Sequence, residues 1–214
     1  MEQPRYKFPK IPHLPFSQNA DDDDIFLSDI SQFIGKEVVI TEKVDGEGST
    51  LARDFLHARS LDSKDHISRH FLKGVWGSLR YDIPQEWRLV GENVFAKHSI
   101  FYSKLPSYFL LFGIFDEKNM YAPWDFVLDF AKRYELITPY VIYRGIWDKE
   151  KVKSLYPFKS TYGADEPEGF VVRESGEFAY DDFASHICKF VRKNHVRSSD
   201  NWMYQPVVKN LLEK

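Results

Sequence analysis

Lys43 stands two residues before an Asp-Gly pair in "TEKVDGEGSTLARD", residues 41 to 54, between an apolar run and a second alternating stretch. A lysine beside a turn is ordinarily solvated. An amine kept unprotonated by desolvation or neighbouring cations is instead a nucleophile for a phosphorus centre. Further along, Glu92 with Asn93 and Glu168 with Gly169 bracket apolar segments, and a basic group runs from Lys189 to Lys193. Carboxylates suit hard divalent cations, which take oxygen ligands and keep several waters, so few protein ligands are needed. Arg59 offers the two-pronged donor set that matches phosphate oxygens. Each group alone is weak evidence. The information lies in their order: lysine, arginine, carboxylate, aromatic, carboxylate, basic cluster.

The elements that must position these groups are legible from periodicity. "EVVITEKV" reads as a strand that "DGEG" breaks before "STLARDFLHARS" resumes the alternation, which puts Lys43 near a strand end. "WRLVGENVFA" and "YFLLFGIFD" read as two more strands, the second apolar enough for burial on both faces. "EGFVVRE" and "HICKFVRK" follow. From Lys64 to Leu79, the residues Ile67, Phe71, Val75 and Leu79 recur every four positions and predict the core face of a helix. "PWDFVLDFAKRYEL" predicts another, with Pro123 in the first turn and Phe126, Phe130 and Tyr134 in one stripe. A short helix is expected near "DKEKVKSL" and a terminal one from about Ser199 to Leu212. The Pro-rich opening and Asp21 to Asp24 read as an irregular arm and a solvated acidic turn. The expected organisation is an arm over 1–30, one catalytic-size domain over 31–198 and a helical tail over 199–214.

Composition narrows the class. A hydrophobic content of 43% with 16% aromatic residues describes a globular chain. The formal charge of -3 gives no global attraction to nucleic acid, so polyanion binding must come from a local basic surface. One cysteine, Cys188, excludes an internal disulfide framework or a cysteine-based zinc site and fits a reducing compartment; it reads as a packed thiol. His66 and His70 lie four apart, but two ligands do not close a metal site. No apolar run is long enough to span a bilayer, and the opening residues lack a signal peptide's apolar core. A cytoplasmic protein with no membrane partner is expected.

The ordered series resembles the covalent nucleotidyltransferases, which include DNA ligases, RNA ligases and mRNA capping enzymes, and is most similar to the ATP-dependent RNA ligases. The resemblance runs from about Val38 to Asn194. "EKVDG" resembles the nucleotidyl-lysine motif, "HARS" the next, "GENVF" the glutamate motif, "LLFGIFD" the aromatic motif, "EGFVVR" the fourth and "KFVRK" the last. It implies an α+β fold: an antiparallel-sheet, ATP-grasp-like ligase adenylation domain with flanking helices. Only 21 residues follow Lys193, too few for the OB domain that DNA ligases and capping enzymes carry there, so none is expected.

Carried onto this chain, the resemblance makes Lys43 the nucleophile that forms lysyl-AMP from ATP. It places Glu42, Asp45 and Gly46 around that lysine, with Gly46 and Gly48 as backbone devices. Arg59 is placed near ribose or phosphate, Glu92 on the ribose, Phe115 against the adenine face, and Glu168 at the lysine or at a site for Mg2+ or Mn2+. Lys189 is expected at the α-phosphate. Two departures stand out. Val191 occupies the position where many relatives carry a second lysine, leaving Arg192 as the nearest cation. Gly48 replaces a frequent asparagine, whose contact Ser49 is left to supply. The implied activity seals 5'-phosphate and 3'-hydroxyl RNA ends, with DNA or RNA/DNA hybrid ends left open. The alternatives are a minimal DNA ligase, a GTP-dependent capping enzyme and a non-catalytic nucleotide- or RNA-binding domain. Without an OB domain, the basic tail with Trp202 and Tyr204, or a partner protein, is left to grip the nucleic acid.

Overall fold

Val38, Val39 and Ile40, in the apolar run ahead of Lys43, are fully buried because their strand lies between two others and alternates between two cores. The computed structural model describes residues 4–19, 24–62, 64–195 and 206–214. Among them are ten strands: β1 (Glu37–Lys43), β2 (Glu47–Ala52), β3 (Leu56–Ala58), β4 (Arg88–Asn93), β5 (Phe109–Phe115), β6 (Met120–Tyr121), β7 (Val141–Ile146), β8 (Gly169–Glu174), β9 (Phe178–Ala179) and β10 (Ile187–Val191). Four α-helices accompany them: α1 (His70–Leu79), α2 (Trp124–Arg133), α3 (Lys149–Ser154) and α4 (Phe183–His186). Among the described residues no helix is long and apolar enough to cross a membrane.

The strands form two antiparallel sheets, one in the order β10-β8-β1-β7 and one in the order β3-β2-β4-β5-β6-β9. The chain leaves the first sheet at Lys43 and enters the second at Glu47, so the Val-Asp-Gly segment between them crosses from sheet to sheet. Val39 packs with Leu51, Leu89 and Leu111 of the second sheet and with Trp124 and Val127 of α2. Val38 and Ile40 face the other way, into a core with Phe170, Val172, Phe190, Leu14 and Trp147. Cys188 is buried there as a packed thiol, and burial pushes its pKa up.

Three expected elements differ in detail. In the first helical segment, Leu72 and Leu79 are buried, whereas Ile67 is 57% exposed and Phe71 also reaches the surface. Residues Ile67–Arg69 form a 3-10 turn, whose tighter winding breaks the four-residue spacing. In α2 the buried side chains are Trp124, Val127, Phe130 and Ala131, while Phe126 is exposed and meets Trp87 edge-on at 5.6 Å. The expected terminal helix lies partly outside the described residues; its described part is extended. There Ala96 bridges Lys209 and Leu105 bridges Leu212. Asn210, fully buried, donates to the Val94 carbonyl at 2.9 Å and accepts from the Tyr102 amide at 2.9 Å. These bonds tie the tail to the 94–102 segment by satisfying the backbone groups of Val94 and Tyr102 with a tail side chain.

Among its described residues the N-terminal arm has no strand of its own, but it is docked. The Lys189 amide donates to the Pro12 carbonyl at 2.9 Å, the Leu14 amide to Lys189 at 2.8 Å and the Gln18 amide to Val191 at 2.9 Å, which covers the β10 edge. Phe8 packs on Phe112, Phe115 and Phe183 with centroids 5.3, 6.5 and 5.2 Å away.

β8 lies between β1 and β10, and its first residue, Gly169, pairs with Lys43 on one side and Val191 on the other. Its φ is 155°, and a Cβ there would lie 1.9 Å from the Phe190 carbonyl oxygen, inside any contact distance. Gly169→Ala is therefore expected to cost about 3 kcal/mol, the upper end of overpacking penalties. Urea unfolding measures it, and a loss under about 1 kcal/mol would contradict this account of the β8–β10 seam.

Candidate active site

Antiparallel register explains why residues far apart in sequence meet. Lys43 ends β1 opposite Gly169, so Glu168, one residue before β8, falls beside it: Lys43 Nζ donates to Glu168 Oε2 at 2.8 Å. Glu92 on β4 pairs with Gly48 on β2, and Lys189 on β10 pairs with Val171 on β8. Lys43, Asp45, Gly46, Arg59, Glu92, Glu168 and Lys189 all line one cavity of about 390 Å³ to which both sheets contribute. Its other end is largely apolar, with Phe8, Ile11, Val90, Phe112 and Val171.

The Lys43 side chain is 23% exposed and that of Glu168 is 3% exposed. Burial pushes the Lys43 pKa down, but Glu168, Glu92 and Asp45 outweigh it and raise it. The expectation that surroundings lower this pKa is thus corrected: in the free site the carboxylates stabilise the ammonium. Burial, strengthened by Glu168, Asp45 and Glu47 and opposed by Lys43, pushes Glu92 up to about 8.

Asp45 is a brace. Its Oδ2 accepts from the Ser99 amide at 2.7 Å, the Ser99 hydroxyl at 2.6 Å and the Ile100 amide at 2.9 Å. Burial raises its pKa, but these bonds and Lys43 prevail and lower it, so Asp45 is ionised. Gly46 does not take a positive φ. The reason for glycine is space: a Cβ would sit 2.6 Å from the Asn93 carbonyl oxygen and 2.9 Å from Val94. Ser49 is buried in the cavity wall, with its hydroxyl donating to the Glu47 carbonyl at 3.0 Å.

Three expected site residues are placed differently. Glu42 lines the cavity, but Ser160 and Thr161 occupy its carboxylate through hydroxyl donors at 2.5 and 2.9 Å and an amide at 3.1 Å. Burial raises its pKa against those bonds. Phe115 is 1% exposed beneath Tyr121, Phe183 and Phe8, outside the cavity lining; Phe112 lines it instead. Pairing slips between Val90 and Gly91, which face Gly113 and Leu111, leaving Phe112 as an extra, bulged residue. Arg192 is turned away, paired with Glu166 at 3.0 Å and donating to the Pro167 carbonyl at 3.1 Å.

Other groups enter that the sequence reading did not single out. Asp24 of the acidic turn is only 10% exposed: its carboxylate meets Lys189 at 3.3 Å and His13 at 3.1 Å. This corrects the solvated-turn expectation for that residue, while Asp21 to Asp23 lie outside the described residues. His98 and His195 line the cavity. Burial lowers the pKa of both against the pull of nearby carboxylates, so their neutral imidazoles prevail at neutral pH. Asp45, Glu168 and His195 each present a donor atom within 4.8 Å of the others, a spacing that one divalent ion can span. Trp202 and Tyr204 lie outside the described residues.

A cleft between two antiparallel sheets, with a lysine–glutamate pair at one end, defines a mixed α/β ligase-like domain. The RNA ligase family pattern matches residues 36–191, and the chain belongs to that family. No curated protein matches the sequence. Solved structures of a Naegleria gruberi RNA ligase share the fold. One, a mutant with ATP and Mn, has a TM-score of 0.58 at 16% identity, covering 76% of this chain and 52% of that one. Another, with pyrophosphate, has a TM-score of 0.57 at 15% identity, covering 89% and 61%. A third, a mutant with AMP and Mn, has a TM-score of 0.55 at 14% identity. This chain spans about half the length of the first of these.

Because the Glu92 carboxyl holds its proton to about pH 8 in the fold but to about 4.5 when unfolded, stability falls as pH rises between those values. Glu92→Gln removes that loss. Its melting temperature relative to wild type is expected to rise from pH 5 to pH 9, and a constant difference across the range would contradict the assigned environment.

Proposed function

We propose that the chain is an ATP-dependent RNA ligase that seals 5'-phosphate and 3'-hydroxyl ends through a lysyl-AMP intermediate and an adenylylated 5' end. The observation that carries this reading is the 2.8 Å Lys43–Glu168 pair inside a cavity also lined by Glu92, Arg59 and Lys189.

The first step forms a bond between Lys43 Nζ and the α-phosphorus of ATP and breaks the bond to pyrophosphate. Nζ must lose a proton, and Glu168 is the carboxylate within hydrogen-bond reach of it. Lys189, whose strand β10 pairs with β8 on the edge opposite β1, lines the same cavity and on this reading meets the α-phosphate and offsets the charge that develops there. Arg59, at the cavity mouth, takes phosphate or ribose oxygens. Glu92, protonated at neutral pH, can donate as well as accept a hydrogen bond at a ribose hydroxyl. Phe112, not Phe115, offers its ring to the base, backed by Phe8 of the arm. A 5'-phosphate oxygen then attacks the same phosphorus, breaking the P–N bond and returning the proton to Lys43. A 3'-hydroxyl finally displaces AMP. Mg2+ or Mn2+, for which Asp45 and Glu168 provide oxygen donors, would supply positive charge beside the Lys43 ammonium and the phosphates.

RNA strand ends are the proposed nucleic-acid partner. Purified protein, freed of AMP with pyrophosphate, is expected to take up label from α-labelled ATP and a divalent cation. Lys43→Ala is expected to remain unlabelled on a denaturing gel. Wild type without covalent label, or labelled equally in Lys43→Ala, would sink the mechanism. All-RNA, mixed and all-DNA nicks then test the substrate, with the all-RNA end expected to seal fastest.

A further inference from the structure

The position after Lys189 where relatives carry a second cation is Val191, 2% exposed, and Arg192 is committed to Glu166 and Pro167. The chain does not leave the site there. The Arg192 amide donates to the Glu168 carbonyl at 3.0 Å, Asn194 takes a φ of 60°, and this left-handed residue brings the backbone round. His195 then re-enters the cavity, its carbonyl held by the Asn19 side chain at 2.7 Å.

The His195 side chain is 2% exposed, with Nε2 3.5 Å from Glu168 Oε1. Its Nδ1 is buried with no hydrogen-bond partner among the described residues. The nitrogen turned toward the carboxylates is Nε2; with the ring proton on Nδ1, its lone pair points at Glu168, an arrangement that a cation shared between them would satisfy. The neighbouring donors are suited to a cation: Asp45 has Oδ2 filled by three hydrogen bonds, leaving Oδ1, and Glu168 offers a second oxygen. Donor atoms of the three residues lie within 4.8 Å of one another. Ligands about 2.0–2.3 Å from a common ion are separated by up to about twice that distance, so the set can share one.

We propose that His195 is a direct nitrogen ligand, with Asp45 and Glu168, of the divalent ion in this cavity, and that this makes Mn2+ the fitted metal over Mg2+. Mg2+ favours an all-oxygen octahedron and gives up water reluctantly, whereas an imidazole nitrogen is better accepted by the transition ion. The inference rests on the ligase reading for what the ion does, not for its binding.

The test is pulsed electron paramagnetic resonance on the nucleotide-free full chain with Mn2+ alone. The expected result is modulation from a directly bound nitrogen-14. It should be replaced by nitrogen-15 coupling when histidine is isotope-labelled, lost in His195→Gln and retained in His98→Gln. Equimolar Mg2+ should leave it in place. Mn2+ held at the carboxylates without nitrogen modulation, modulation surviving in His195→Gln, displacement by equimolar Mg2+, or no bound Mn2+ would each overturn the proposal. The labelled wild type keeps it testable if His195→Gln fails to fold. Nitrogen modulation in a protein that takes no AMP label would sink the ligase reading and leave this inference standing.

Discussion

The ion pair between Lys43 and the buried Glu168 is the constraint on which the rest of the site depends. A charge taken out of water must be matched, and removing one partner of a buried pair leaves the other uncompensated. Here the match is enforced by register: Lys43 is the last residue of β1, and Glu168 immediately precedes β8, the strand that pairs with it. A slip of one residue would turn the lysine to the opposite face. The full burial of Val38, Val39 and Ile40 makes such a slip costly, because each would exchange one core for another. Apolar packing thus fixes a polar geometry it does not touch.

The arm belongs to the same argument. It covers the exposed edge of β10, so that strand has a partner on both edges, β8 on one and the arm on the other, where the Lys189 amide and carbonyl meet Pro12 and Leu14. Asp24 meets the ammonium of Lys189, and Phe8 covers the cavity's apolar end next to Phe112. Both arrangements follow from edge covering and charge pairing, yet neither leaves a local signature. The Pro-rich opening looks irregular because the β10 edge and Tyr180, to which it is hydrogen-bonded, lie more than 160 residues away in sequence.

This marks the boundary of what the sequence makes legible. The ordered groups Lys43, Glu92, Glu168 and Lys189 could be read because each sits on or beside a strand whose alternation is visible, and antiparallel pairing brings such positions together. Phe112 could not be told from Phe115, since the bulge that distinguishes them arises from pairing with β4, not from anything in "YFLLFGIFD". By proximity in sequence Arg192 is the natural substitute for a second cation, but its side chain goes to Glu166, and beyond the left-handed Asn194 it is the neutral His195 that lines the cavity. Glu42 was grouped with its neighbour Lys43, although adjacent strand residues face opposite ways and its carboxylate went to Ser160 and Thr161. Amphipathic stripes failed similarly at Phe71 and Phe126, because burial depends on which elements pack against the helix.

The charge balance ties the free site to its proposed work. Asp45 is ionised, the Lys43 ammonium is stabilised by the acids around it, and Glu92 avoids adding another negative charge by keeping its proton to about pH 8. Such a site holds Lys43 as the ammonium, which has no lone pair to offer. On the ligase reading this is a resting state: a cation held by Asp45 and Glu168 would weaken the hold of both carboxylates on Lys43, and the triphosphate would meet Lys189 and Arg59. The acids that suppress the amine are the groups that would bind its activator, so suppression and activation fall on the same two side chains, Asp45 and Glu168.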